Sequence, residues 1–537
     1  MIRRSLLATA IASATIASAQ ASPFLPMDAR GLAMGSTGVA SAKRAHAPAY
    51  NPSLLSQGEH DDDFAILFPQ VGLSVADEEE MYDTFIDIND DLVPEFEDLF
   101  DDATANNFED KVDNLGQATE DLQAALEGLT AADVNNANAK ISEIRGLNNN
   151  VRSALADVRS DLTTVDNLSE QLTSELNSVS GNPLSGRLGV SSALAFPGKE
   201  FAAALSFSGN VTFSGRAFFS ADDSALLNGY SDAAVAYADE ADQLTSDIDA
   251  FLADAEAGNV DQDDADTIAA QAEDTSNFTS DTITREDGSS YNLIENGDLS
   301  ADAEDPDMTS NVEVIALAVA DLGISFSREF SFWDKKVAIG ITPKLQRVVT
   351  MHYAAEADYD GDIEQEDLED ASETYNHVNL DVGASFRFGA SNKWMFGVVG
   401  KNLISKSFEV KDAEVKGSTL PRTLEGGEVT LDPQFRAGVA FNGDWTTLAL
   451  DVDLVENDPI AWENPTQYAA IGAEFDIYNT LQLRLGYRTN MSVSEAEVAS
   501  IGLGFSPFGV HIDVAAMANP NDPEKEAGVA LETGFYF

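Results

Sequence analysis

The chain contains no cysteine, so neither a disulfide framework nor thiol redox chemistry is open to it. Positive charge is also scarce. Lys and Arg number 30 against 93 Asp and Glu, a formal net charge of −63, and a field of that sign repels phosphate backbones and excludes direct nucleic-acid binding. Histidine is limited to five positions, and there is no Gly-x-Ser-x-Gly elbow and no zinc-ligand spacing, so no enzyme constellation stands out. Beyond the amino-terminal segment no window holds the ~18 uninterrupted apolar residues a membrane-crossing helix needs. A helical membrane protein is thereby excluded. A chain of 537 residues with 44% hydrophobic content can still bury a large core or line a large barrel.

What is present begins at the two ends. Residues 1–21 combine Arg3 and Arg4, an apolar run from Leu6 to Ala17, and small residues at Ala17, Ala19 and Ala21. This pattern reads as a secretory signal peptide. The other end, Glu526 to Phe537, alternates strictly: Val529, Leu531, Thr533, Phe535 and Phe537 fall on one face and Gly528, Ala530, Glu532, Gly534 and Tyr536 on the other. Between them, about fourteen alternating segments follow residue 64, and their connections come in two kinds in rotation. Short turns fall near 197–199, 331–335, 389–392, 442–444, 478–479 and 506–508; long polar connections fall near 76–183, 220–310, 355–374, 410–428, 456–466, 491–495 and 518–526. Short turns on one side and long loops on the other predict an all-β fold, a closed transmembrane antiparallel barrel spanning 64–537.

Each segment carries one apolar and one polar face, as a barrel in lipid requires. The polar face holds charges of both signs: Asp381 and Arg387, Arg436, Arg484 and Arg488, and His511 and Asp513. These are the candidate lumen residues, expected first to pair with one another across the interior and only then to serve a substrate. Residues 22–63 are rich in glycine and make a compact segment of plug size. Within them Asn51 can cap a short helix that has Pro52 at its first position. Two connections are helical inserts. In 77–181, apolar residues from Phe108 to Leu129 and from Ile141 to Val179 recur every three or four positions, suiting an antiparallel helical hairpin turned near Gly128 and Gly146. The insert 220–310 is acidic and partly helical, and its polar stretch from Gly258 to Asp307 reads as poorly ordered.

Two resemblances rest on these residues. The plug-sized segment, with Asn51-Pro52-Ser53 where the family has Asn-Pro-Ala, resembles the hatch of FadL-type long-chain fatty-acid transporters. Asp28 to Ala42, Leu431-Asp432-Pro433-Gln434-Phe435-Arg436, Asn464-Pro465-Thr466-Gln467-Tyr468, Leu485-Gly486-Tyr487-Arg488 and Phe505-Ser506-Pro507-Phe508, in this order, resemble the outer-membrane proteins named for conjugal transfer, TraF. The first resemblance implies passive transport of a hydrophobic small molecule. The second implies a transfer or surface-contact role with the helical inserts outside, facing conjugation or surface proteins. Both imply a bacterial outer membrane, its lipid, and the barrel-assembly machinery that reads an aromatic-ended closing strand. A thioredoxin-like protein shares the TraF name, and the absence of cysteine removes that role.

No cofactor is expected, apart from one candidate Ca2+ loop. Asp358, Asp360, Asp362, Glu366 and Glu369 occupy relative positions 1, 3, 5, 9 and 12 of a calcium loop. Gly361 departs from that pattern, standing at position 4 where the loop has its glycine at 6. A diffuse divalent atmosphere is the alternative reading.

Overall fold

The computed structural model describes residues 23–57, 64–92, 94–95, 108–135, 138–285, 288–304, 308–332, 335–357, 359, 361, 363–389, 391–418, 421–478 and 480–536. The expected signal peptide, the last six residues of the expected plug segment, Phe537, and the calcium-loop residues Asp358, Asp360 and Asp362 lie outside them.

Fourteen antiparallel strands close on themselves. They are β1 (Ala65–Ala76), β2 (Pro183–Phe196), β3 (Ala202–Phe218), β4 (Asn311–Phe332), β5 (Lys335–Glu356), β6 (Ser372–Phe388) and β7 (Trp394–Lys401). The circuit continues through β8 (Gln434–Asn442), β9 (Thr446–Asp453), β10 (Tyr468–Ile477), β11 (Leu481–Asn490), β12 (Glu497–Phe505), β13 (Val510–Ala518) and β14 (Glu526–Tyr536). Each strand pairs with the next, and β14 returns to β1 from Ala65↔Tyr536 to Ala76↔Glu526. All six expected short turns and all seven long connections fall between the strands where the alternation placed them. Closure satisfies every strand's ladder, so the wall needs no edge protection.

The period of two sorts the residues. Leu205, Ile324, Leu345, Ile471, Leu503 and Leu531 point outward and are exposed to the surrounding phase, giving an apolar belt. Toward the short-turn end Phe388 meets Trp394, which meets Phe441, and Trp445 meets Phe475. Such a ring of aromatics is what a membrane interface selects. Among the described residues no helix is long and apolar enough to cross a membrane. One flaw interrupts the wall. Leu67 of β1 pairs with Ala193 and Gly534, but Gln70 pairs with Ser191 and Val71 with Leu531, so β1 carries one extra residue against both neighbours at Phe68 and Pro69. Pro69 has no N–H to give either ladder.

On the long-loop side the two inserts fold as one helical domain. Helices Phe108–Leu126 and Asn138–Val179 from the first insert and Ala221–Ala257 and Gln262–Ser276 from the second share a single core. The seam expected to close within one insert, Val151, Leu155, Val158 and Leu162, is buried together with Tyr237, Leu244 and Ile248 of the other. Two expectations are corrected here. Gly146 lies inside the 42-residue helix Asn138–Val179, not at a turn. The described part of the stretch from Gly258 carries regular structure: Asp261 opens helix Gln262–Ser276 with a capping box, and Ala265, Ile268 and Ala272 bury against the shared core.

Candidate functional site

Residues 23–57 sit inside the barrel as a hatch. Asp28 caps the helix Ala29–Ala33 by accepting from the Gly31 N–H, and Asn51 caps the 3-10 helix Pro52–Ser56 by accepting from the Ser53 N–H. The hatch packs by backbone, because the wall presents glycines to it. A Cβ added to Gly72, Gly340, Gly383, Gly397, Gly472 or Gly486 would come within 2.0–2.5 Å of a hatch atom. These six lie on β1, β5, β6, β7, β10 and β11, so the close approach runs around much of the circuit. At the Asn51-Pro52 turn, Asn51 Nδ2 donates to the Val39 carbonyl at 2.9 Å, and Ser53 Oγ donates to Ser385 Oγ of the wall at 2.8 Å.

The expected lumen residues are mostly spent on this packing. Arg436 forms a two-pronged pair with Asp453 at 2.5 and 3.0 Å, and its guanidinium lies 4.5 Å from the centre of the Phe24 ring. Arg484 donates to Glu474 at 2.7 Å and to Asp513 at 2.5 Å, while Arg30 of the hatch reaches the same Glu474 at 3.0 Å. Asp513 lies 4.0 Å from the imidazole of His511. Arg488 reaches Glu526 and the Ser36 hydroxyl, and Arg387 donates to the Gln57 carbonyl at 2.6 Å. Asp381 accepts from the Asn402 N–H at 2.9 Å and pairs with Lys344 at 3.1 Å. Of the calcium-loop set, Glu366 and Glu369 stand on the helix Gln365–Asp370, where Glu369 accepts from Gln365 at 2.6 Å.

Beside the hatch is a cavity of roughly 1300 Å³ of empty space including its open mouth. Phe24, Leu25 and Met27 of the hatch form its floor, and Leu67 and Leu317 of the wall form apolar flanks. Leu431, at the end of strand Gly427–Leu431, borders it from the side of the long loops. Leu67 and Gln70, on either side of the break in β1, both line it.

Two cations line the cavity without a carboxylate partner. Lys401 donates to the Ala49 carbonyl at 2.8 Å and rests 4.6 Å over the Phe24 ring, and it makes no ion pair among the described residues. Arg187 makes none either. It lines both the cavity and a neighbouring outer cleft with Glu78, Glu463 and Asn464. In that cleft burial pushes the Glu463 carboxyl up from its ordinary range; burial does the same to Glu78, opposed by the hydrogen bond from Asn464 at 2.7 Å. Sequence reasoning missed Lys401, Arg187 and the hatch residues Asp28, Arg30 and His46. The signal for the first two was their rarity: basic residues facing inward in a chain with three acids for each base.

A family model described as "F plasmid transfer operon, TraF, protein" matches residues 48–142 and 103–453. Among solved structures, the toluene transporter TbuX of Ralstonia pickettii is similar at 8% identity over 96% of this chain and 99% of that one, with a TM-score of 0.44. A FadL homologue of Pseudomonas aeruginosa is similar at 8% identity over 96% and 99%, TM-score 0.40. The P. putida toluene transporter TodX is similar at 9% identity over 96% and 99%, TM-score 0.39. No curated protein matches the sequence.

Proposed function

Because the chain belongs to the family described as F plasmid transfer operon TraF proteins, matched from the hatch turn at Asn51 through Asp453, we propose a function that uses hatch and wall together: an outer-membrane channel of a Gram-negative bacterium that binds and passes an amphipathic organic anion. One observation carries this reading. Lys401 and Arg187 line the cavity and make no ion pair among the described residues, although acids outnumber bases 93 to 30 in the chain. A half-buried cation without an ion pair is costly, and a ligand carboxylate or sulfonate would offset that cost while its chain fills the space beside Phe24, Leu67 and Leu317.

The test is binding of a fluorescent long-chain carboxylate to the barrel in detergent. Lys401→Gln should weaken binding about tenfold or more, as loss of a charge-assisted hydrogen bond does, while the uncharged alcohol of the same chain length binds both forms alike. Equal affinity of the variant and the natural protein for the carboxylate would sink the proposal.

A second reading, a transfer or surface-contact role, is favoured by the helical domain. Residues 77–182 and 219–310 carry 51 of the 93 acidic residues but 6 of the 30 basic ones. Charge of one sign gathered on a body outside the wall would steer basic partners and repel others. Removing both inserts should then abolish contact with a partner cell and leave carboxylate binding intact.

A further inference from the structure

Away from the cavity, three ligand-type side chains meet where the hatch touches the closing strand. Asp28 and His46 come from the hatch and Glu532 from β14; each is at most 3% exposed, and one ligand atom from each lies within 4.8 Å of the other two. Nε2 of His46 is 2.7 Å from Glu532 Oε1 and 3.8 Å from Asp28 Oδ1. A proton on that nitrogen serves one carboxylate and not both. The other oxygen of Glu532 makes no hydrogen bond of normal geometry among the described residues, and the Arg30 N–H at the start of the hatch helix is the one further donor to this carboxylate.

The surrounding charge points the same way. Arg30 and Arg484 are committed to Glu474 and Asp513, and Lys43 is the third cation near the group. His511 stands on the neighbouring strand, 4.0 Å from Asp513. Neither arginine makes an ion pair with Asp28 or Glu532 among the described residues. A cation between these two carboxylates would answer both.

We propose that it is a divalent transition-metal ion of the Zn2+ class, held by His46 Nε2, Asp28 Oδ1 and the Glu532 carboxylate. A tetrahedral centre with bonds of about 2.0–2.1 Å sets its ligands roughly 3.3 Å apart, a spacing bracketed by the 2.7 and 3.8 Å separations here. Outer partners already orient the set: Tyr50 donates its hydroxyl to Asp28 Oδ2 at 2.5 Å, and the Gly31 N–H donates to Asp28 Oδ1 at 2.7 Å. One imidazole and two carboxylates suit Zn2+ or Mn2+; Ca2+ requires more oxygens and Cu+ requires sulfur. In a chain without cysteine, the ion would clip together residues 486 positions apart, a link that closes a very long loop.

The experiment uses the whole barrel in detergent, its fold verified by heat-modifiable migration. Protein stripped with a chelator is equilibrated with Zn2+, passed over a chelating resin to remove ions from the acidic surface, and assayed for metal. The natural protein should retain about one equivalent, and Glu532→Gln, which preserves side-chain shape, should weaken affinity at least about a hundredfold. Equal retention by both, whether of none or of an adventitious ion only, overturns the proposal. Should Glu532→Gln fail to form a barrel, Co2+ loaded into the natural protein decides instead: intense visible bands of tetrahedral Co2+ support the site, and their absence overturns it.

Discussion

A Cβ built on Gly383 of β6 would lie 2.0 Å from Oδ1 of Asn51 in the hatch. The wall at this point has been hollowed to the thickness of its backbone so that the capping turn can rest against it. Gly383→Ala should therefore displace the Asn51-Pro52-Ser53 turn and raise single-channel conductance in planar bilayers. Gly209 of β3 supplies the control, because a Cβ there meets nothing nearer than 4.0 Å. If Gly209→Ala and Gly383→Ala conduct alike, the hatch does not depend on this contact.

The closing strand supplies a second expectation. Leu531 is about half exposed on the outer face, between Val71 and Val514 of its neighbours. Leu531→Arg should cost about 2–4 kcal/mol near the bilayer midplane, visible as less heat-modifiable, membrane-integrated protein. Normal membrane yield would place this face away from lipid.

The Arg436–Asp453 pair, buried at 2% and 4% exposure, should respond asymmetrically. Arg436→Met alone leaves Asp453 charged and without its ion-pair partner and should destabilise the barrel by about 3–5 kcal/mol. Combining it with Asp453→Leu should restore most of that loss in urea unfolding. A double variant no better than the single one would mean that the aspartate is satisfied by other donors, of which the Tyr468 N–H at 2.9 Å is the first.

Acid should favour entry of anions. The carboxyls of Glu78 and Glu463 beside Arg187 are pushed up by burial, so they take up protons at a higher pH than ordinary carboxylates, and below that point the outer cleft loses negative charge. Anion over cation selectivity should rise as pH falls from 7 toward 5, and Glu463→Gln should show the higher selectivity already at pH 7. A selectivity independent of pH in both proteins would remove the cleft from the conduction path.

In the helical domain, Leu155→Ala should cost about 2–5 kcal/mol as a cavity next to Val151 and Leu244. Hydrogen exchange in 138–179 should quicken while heat-modifiable migration of the barrel stays unchanged. Slower exchange, or loss of the barrel, would contradict a domain with its own core.

Much of this fold was legible beforehand, and the reason is local. A period of two on one wall, with short and long connections in rotation, needs only neighbouring residues to be seen, and it located the fourteen strands of the wall. The period of three and four likewise found the helices. What pairs with what was not local. Arg30 meets Glu474 across 444 positions, and no pattern within either segment announces the other. The second insert was misread for a related reason: Ala265, Ile268 and Ala272 are small or isolated apolar residues in a polar stretch, and their burial depends on a core built mostly by another insert. The inward glycines were visible, Gly383 and Gly486 among them, but they look like mere fillers until a hatch is known to press on them. Of the candidate site, the structural charges were readable and the unpaired ones were not, since absence of a partner is a property of three dimensions only.

The glycine-lined seat has a consequence for how the molecule is made. The hatch is held by residues of nearly every sector of the wall, from Gly72 on β1 to Glu532 on β14, with backbone set against backbone at several of them. A finished cylinder of that bore, studded with the side chains above and below the glycines, offers no clearance for a folded insert of 35 residues to slide in from one end. The order of synthesis offers another route. The amino-terminal segment exists first, strands gather round it, and the β1–β14 seam, made from the two ends of the wall, shuts last, so that the plug serves as the mandrel on which the barrel is wound.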